Sequence, residues 1–304
     1  MNFRWLLSVD VQSFFIYAAK DFLMNDSLIL VDTSYLIYTC WYSRGDHPQN
    51  QVSLMRHFYR CVLDIIKYFK SKKVIFAIDS EYPTIRHQID PQYKCGRVAM
   101  PTAFKEGRLL CYKILTYLGL TTCKVGKYEA DDVIGSLCEH FCDEQIIIIT
   151  GDKDLCQLIT PNVKIFNWFK NQWFDEDFVY SKFGVKPHQI ADYLALVGDN
   201  ADAIPGVRGI GPMNASKLLI QFESFNNLLN NLHLVPSHLQ PGFNNLEEVR
   251  QQYFLTTIVK SLPFDYTLED IYIKSNPEGL TIIQGIFDNF GYVDIVHDPI
   301  NFTS

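Results

Sequence analysis

The chain has 304 residues, 48% of them hydrophobic and 20% charged, with a net charge of −7. That balance excludes disordered, collagen-like and low-complexity classes, and the length suffices for one large domain or two modest ones. No run approaches the roughly eighteen uninterrupted apolar residues of a membrane span, and an acidic chain is not expected to coat nucleic acid nonspecifically. Residues 1–27 (MNFRWLLSVDVQSFFIYAAKDFLMNDS) are apolar but interrupted by Asp10, Lys20 and Asp21. Lacking a clean apolar core and a small-residue cleavage site, they read as an extra amphipathic helix and not as a secretory signal.

Three short apolar, β-rich runs follow: LILVD (28–32), VIFAID (74–79) and IIIIT (146–150). Helical patterns separate them, among them 52–69 and 102–118, which predicts an α/β fold around a mainly parallel sheet. VKIFNW (163–168) and QWF (172–174) predict a hairpin turning through Lys170-Asn171. Pro187 stands where a helix begins, QIADYLALV has an apolar face, and GDNADAIPGVRGIGPMNASKLLIQF reads as a compact turn between two helices. Beyond residue 225 the chain is Asn- and Leu-rich, with moderate helical signals and no recognisable chemistry. Of the eight cysteines, none forms a CxxC pair, so reduced, intracellular thiols are expected. Cys138 and Cys142 share a helix face, but no His or second Cys pair completes a set, and zinc is not expected.

Each core strand ends in an acid: Asp32, Asp79 and, just past IIIITG, Asp152. Ligands of parallel α/β sheets gather at the carboxyl ends of strands, so three acids there converge on one edge; a single one would read as a helix cap. Glu129, Asp131 and Asp132 open a predicted helix, Asp154 follows Asp152, and Asp199 and Asp202 lie in the Gly/Pro-rich turn. So many like charges need a cation, and oxygen donors select Mg²⁺, with Mn²⁺ able to substitute. A Ca²⁺ loop of EF-hand type is absent. Nine carboxylates suit two ions, a pairing that serves metal-dependent phosphodiester hydrolysis. The turn Gly206-Val207-Arg208-Gly209-Ile210-Gly211 reads as a helix–hairpin–helix element whose glycines admit a phosphate to exposed N–H groups. Segment 82–110 carries Arg86, Lys94, Arg97, Lys105 and Arg108 with Tyr82, Tyr93 and Phe104 interleaved, a composition suited to a single strand of nucleic acid.

The motifs VDTS, FAIDS, YKCGR, YEADDVIGSL, TGDKDLCQL and LALVGDNADAIPGVRGIGP, in this order, resemble the 5′-nuclease family. It comprises the 5′→3′ exonuclease domain of bacterial DNA polymerase I, its stand-alone bacterial and phage relatives, and the flap endonucleases. The resemblance runs from about residue 28 to 225 and implies a PIN-like sheet with a helical arch over the active site. The chain would then divide into an N-terminal extension (1–27), a catalytic domain (28–180, arch about 82–110), a helix–hairpin–helix and helical region (181–292) and a tail (293–304). It implies cleavage near the junction of a 5′ single strand with duplex DNA. By resemblance, Asp32, Asp79, Glu129, Asp131 and Asp132 would surround a first ion, and Asp152, Asp154, Asp199 and Asp202 a second, with Asp132 leaning to both. Lys94 and Arg97 would act on the scissile phosphate, Arg86 and Tyr93 would contact DNA nearby, and Gly206, Arg208, Gly209, Gly211 and Lys217 would grip the duplex, with K⁺ at the turn.

Three departures from the family stand out. Met213-Asn214 replaces Lys-Thr after GIGP, which predicts a weaker duplex grip and a shallower salt dependence. Ala203 stands where the family has Asn, which would loosen the loop holding Asp202, and Lys127 replaces Gly before YEADD, which would put a cation beside the metal site. Two rival functions remain, a noncatalytic DNA-junction binder and a PIN-type ribonuclease. The intact acids count against the first, and the turn and arch segment against the second. A monomer without an attached polymerase and without membrane contact, working in the cytoplasm, completes the expectation.

Overall fold

The computed structural model describes residues 26–43, 50–81, 83–290, 296–297 and 299. The helix expected within 1–27 (residues 1–25), Tyr82 and most of the 293–304 tail lie outside the described residues. The strands are β1 (Leu28–Asp32), β2 (Val74–Ala77), β3 (Thr121–Cys123), β4 (Ile146–Ile149), β5 (Val163–Asn167) and β6 (Gln172–Phe174). The helices of the first half are α1 (Thr33–Tyr42), α2 (Gln51–Phe69), α3 (Ile85–Ile89), α4 (Thr102–Tyr117) and α5 (Ala130–His140). Those of the second half are α6 (Glu176–Phe183), α7 (Ile190–Val197), α8 (Pro212–Phe222), α9 (Phe225–Asn230), α10 (Leu246–Thr256) and α11 (Pro277–Asp288).

The strands form one sheet in the order β3-β2-β1-β4-β5-β6, parallel except for β6, which returns antiparallel to β5. Leu28 pairs with Ile146 and Ile29 with Val74, so β1 runs down the middle. Both faces are covered, which is why the central strands read as unbroken apolar runs without polar alternation. Leu28, Leu30, Ile75, Ile146 and Ile148 face α5 and the C-terminal helices. Ile29, Val31, Phe76, Ile147 and Ile149 face the opposite layer with α1, α2, α4 and α11. Each of these side chains is fully or almost fully buried and contributes roughly 1.5–3 kcal/mol by leaving water. Of the sheet's strands, β3 has no counterpart in the sequence reading, because Thr121-Thr122-Cys123 is short and hardly apolar.

The first layer's core continues without a break into the second half of the chain. Leu155 and Leu158 of the 3₁₀ turn Asp154–Leu158 share it with Ile190, Leu194, Leu218 and Phe225. Polar ties reinforce the join, since Gln157 donates to the Thr256 carbonyl and accepts from Ile258 N–H. The helix–turn–helix α7–α8 is thereby fixed beside the carboxyl edge of the sheet.

Candidate active site

Asp32 ends β1 and also caps α1, accepting from Tyr35 N–H at 3.0 Å. Its second oxygen accepts from the Thr150 hydroxyl at 2.9 Å, and that hydroxyl in turn accepts from Asp152 N–H at 3.1 Å. The ends of β1 and β4 are therefore tied through one side chain. Asp79, just past β2, accepts from the Ser34 hydroxyl and from Ala130 N–H at 2.8 Å, which sets the start of α5 against it. Asp154 N–H donates to Asp152 at 3.0 Å, and an antiparallel bridge between Asp199 and Ile204 closes the loop that carries Asp199 and Asp202.

These acids sense one another. Burial pushes Asp32 up to about 7, reinforced by the charges of Asp79 and Asp152. Burial also drives Asp131 well above the carboxylate range, with Asp152 and Asp32 adding to it. Asp154 rises likewise through burial and then through Asp152, Asp199 and Asp202. Asp152 is thus the neighbour common to both groups of acids. Cations partly offset the crowding. Lys94 donates to Glu129 at 2.6 Å and lies 3.8 Å from Asp202, while Arg97 donates to Asp202 at 2.6 Å. Lys153, which the sequence reading left without a role, is paired with Asp199 and lies 3.6 Å from Asp154. For Lys94 and Lys153, burial works against the charge but the surrounding carboxylates outweigh it, so both stay protonated more firmly than a free lysine.

Two expectations about this cluster are corrected. Asp132 does not join it. The residue is 0% exposed, pairs with Arg86 through both oxygens (2.7 and 2.8 Å), and accepts from Val259 N–H at 2.9 Å. It also accepts from Glu129 N–H at 3.2 Å in a capping box. Successive helical residues point about 100° apart, and here Asp131 faces Asp32 and Asp152 while Asp132 turns to Arg86. Arg86, in turn, is no phosphate contact. It is 3% exposed, and its remaining donors reach Glu129 and the carbonyls of Leu255 and Thr257.

The aromatics of the basic segment are corrected as well. Tyr93 is 3% exposed, with its hydroxyl donating to Glu129 at 3.0 Å and lying 3.3 Å from Asp202. Phe104 is a core residue set edge-on against Trp41 at 5.5 Å. Beside the acids, Arg97 keeps its side chain 52% exposed. Lys127 is exposed at φ +70°, a left-handed conformation that Gly adopts without strain. Ala203 sits at φ +58°, a conformation that Asn tolerates better.

The turn between α7 and α8 combines tight and open glycines. A Cβ on Gly206 would come within 2.5 Å of the Val197 carbonyl, whereas at Gly209 and Gly211 it would meet nothing within 4 Å. Around that open backbone Arg208, Lys217 and Met213 are exposed, Met213 at 68%. Arg208, Gly209, Gly211 and Lys217 are thus exposed along the turn and the helix that follows it, while Gly206 is half-buried.

A parallel sheet that gathers acids at one edge, continued by a helix–turn–helix lobe, defines a nuclease of the α/β class. Residues 27–184 match the family profile described as the 5′-3′ exonuclease N-terminal resolvase-like domain, and residues 185–278 match that of the 5′-3′ exonuclease C-terminal SAM fold. The chain belongs to the 5′-3′ exonuclease family. A 5′-3′ exonuclease from Buchnera aphidicola (strain APS) is 32% identical over 265 residues, spanning 82% of this chain and 92% of its own. DNA polymerase I from Synechocystis is 31% identical over 81% of this chain, which corresponds to 27% of the polymerase. Among solved structures, T5 5′-exonuclease with bound divalent metal ions (zinc) superimposes with a TM-score of 0.67 at 18% identity, covering 91% of this chain and 99% of that one. The T5 D15 flap endonuclease complexed with DNA and metal ions gives 0.65 at 17% identity, covering 91% and 98%. At these identities the two structures share its fold.

Proposed function

We propose that the protein is a divalent-metal-dependent 5′→3′ exonuclease and structure-specific flap endonuclease that hydrolyses DNA phosphodiesters beside a 5′ single-strand/duplex junction, in replication and repair. The supporting observation is the crowding of Asp32, Asp79, Glu129, Asp131, Asp152, Asp154, Asp199 and Asp202 at the carboxyl edge of the sheet. The donor set fits hard cations, since all its ligands are carboxylate oxygens. Asp154 Oδ1 is buried without a hydrogen-bond partner among the described residues, although Lys153 stands 3.6 Å away.

On this reading Asp32, Asp79, Asp131, Asp152, Asp154, Asp199 and Asp202 would hold two Mg²⁺ ions, with Mn²⁺ able to replace either. Such ions supply Lewis-acid polarisation of the phosphodiester and acidification of water. Glu129 keeps Lys94 at the site. Lys94 and Arg97 orient the scissile phosphate, and Arg86, Asp132 and Tyr93 hold the surrounding frame without touching DNA. Gly206, Arg208, Gly209, Gly211 and Lys217 take phosphates of the duplex, with K⁺ at the turn's carbonyls. Residues 28–180 form the catalytic lobe and 181–292 the duplex-gripping lobe of a monomer that works in a reducing compartment. None of the eight cysteines is disulfide-bonded, and no helix among the described residues is long and apolar enough to cross a membrane.

The test is cleavage of a 5′-flap duplex, labelled on the flap strand, with Mg²⁺ and with EDTA. Metal-dependent cuts at the junction are expected, and Asp131→Asn should abolish them while leaving junction binding in place. Tight binding without any cleavage by the unaltered protein would make it a noncatalytic junction binder.

A further inference from the structure

Away from the carboxylates, α1 and α2 bring together Cys40, His57 and Cys61. One ligand-type atom from each lies within 4.8 Å of the others. The two cysteines are buried in the layer that covers the second face of the sheet, with His57 half-buried beside them. His57 and Cys61 stand four apart on α2, hence on one face, and Cys40 meets them from the last turns of α1. The sulfurs are 3.7 Å apart. A disulfide would hold them at about 2.05 Å. Two thiolates on a tetrahedral zinc ion, each about 2.3 Å from the metal, stand about 3.8 Å apart. The spacing is also that of a thiol hydrogen bond, the contact an ion would replace.

The surroundings fit a ligand set. His57 Nδ1 lies 3.0 Å from the Cys40 carbonyl, the kind of outer-shell partner that orients a ligating imidazole. Two thiolates and one imidazole form a soft set, which Mg²⁺ does not take and Zn²⁺ does.

We propose that Cys40, His57 and Cys61 form a site for a zinc-class divalent ion, distinct from the carboxylate site, with one coordination position open. The ion would clamp α1 to α2, and α1 is capped by Asp32, so the clamp braces the helix whose cap lies in the carboxylate cluster. Neither Cys138 nor Cys142, the pair visible in the sequence, takes part.

The experiment is a Co²⁺ titration of the reduced, full-length protein followed by Zn²⁺ competition. The expected result is a sulfur-to-cobalt charge-transfer band in the near ultraviolet, bleached by one equivalent of Zn²⁺. Oxygen ligands give no such band, so ions at the carboxylates do not contribute. Cys61→Ala and Cys40→Ala should each weaken binding by more than about 100-fold, beyond the loss of an outer-shell partner. A second measurement needs no variant: Zn²⁺ should slow alkylation of Cys40 and Cys61 at least about tenfold, because a coordinated thiolate is no longer a free nucleophile. Absence of the band from the unaltered protein, its survival in a folded Cys61→Ala variant, or alkylation unaffected by Zn²⁺ overturns the proposal. So does a Cys40–Cys61 disulfide that forms in air whether or not Zn²⁺ is present.

Discussion

Replacing Arg86 with methionine removes five hydrogen bonds from the interior: three to Glu129 and Asp132 (3.1, 2.7 and 2.8 Å) and two to the Leu255 and Thr257 carbonyls (3.0 and 2.9 Å). Asp132 would keep only two backbone N–H donors in a site with no exposure. Breaking a buried ion pair by removing one partner costs about 3–5 kcal/mol, chiefly because the other charge stays behind. With an unfolding entropy of about 2.1 cal/mol/K per residue, the whole chain gives about 0.64 kcal/mol/K, so Tm should fall by about 5–8 °C. The double variant Arg86→Met/Asp132→Asn removes the stranded charge while leaving an oxygen for Val259 N–H, and should recover more than half of that loss. Scanning calorimetry measures the stability, and the salt dependence of DNA binding measures the alternative role. A phosphate contact contributes about 0.9 to the slope of log K against log salt, and Arg86→Met should leave that slope unchanged. An unaltered Tm together with a slope reduced by about 0.9 would refute the interior assignment and restore Arg86 to the DNA.

Other consequences are as direct. Burial raises Asp192 to about 6, though it accepts from Phe225 N–H at 3.1 Å. Its folded form therefore holds the proton more firmly than the unfolded chain. Stability from this group is full below about pH 4 and lost as pH rises through about 6, a change on the order of 3 kcal/mol. Asp192→Asn should remove that slope and stabilise the protein at pH 7.5, and urea melts across pH 4–8 would show no difference between the two proteins if the reasoning is wrong. Lys127→Gly relieves a left-handed residue and should raise stability by about 0.5–1 kcal/mol, read from the denaturant midpoint; a lower midpoint would count against it. On the exposed first turn of α8, Met213→Lys should tighten duplex binding and steepen the salt slope by about 0.9, while Lys217→Ala should flatten it by a similar amount. Slopes indifferent to both would remove this helix from the DNA interface.

Much of this arrangement could be read from the chain because its periodicities are strong. A strand covered on both faces is an unbroken apolar run, and LILVD, VIFA and IIII announce both the sheet and the edge where Asp32, Asp79 and Asp152 emerge. What the sequence could not tell is which way a charged side chain turns. Arg86 and Arg97 lie in the same basic stretch, yet one is enclosed by carbonyls from residues 255 and 257 and the other faces solvent. The carbonyl partners of Arg86 are 169 and 171 positions away in the chain, and no local pattern marks them. For Asp132 a signal existed: its three-residue spacing from Glu129 predicts a shared face, and that face proves to be the one toward Arg86. Cys40 and Cys61 are 21 residues apart on different helices, so only His57-x-x-x-Cys61 was visible.

The enclosure of Arg86 also orders events during synthesis. All eight clustered carboxylates have been added once Asp202 is in place, yet the carbonyl of Thr257 and the N–H of Val259 that complete the Arg86–Asp132 wedge come later. At about 5–20 residues per second, the interval between Asp202 and Thr257 lasts about 3–11 s. Through that time the nascent chain carries its acids without the contacts that complete the Arg86–Asp132 wedge beside Glu129. On the proposed function, competence for metal and DNA would arrive late, with the part of the sequence that has no chemistry of its own.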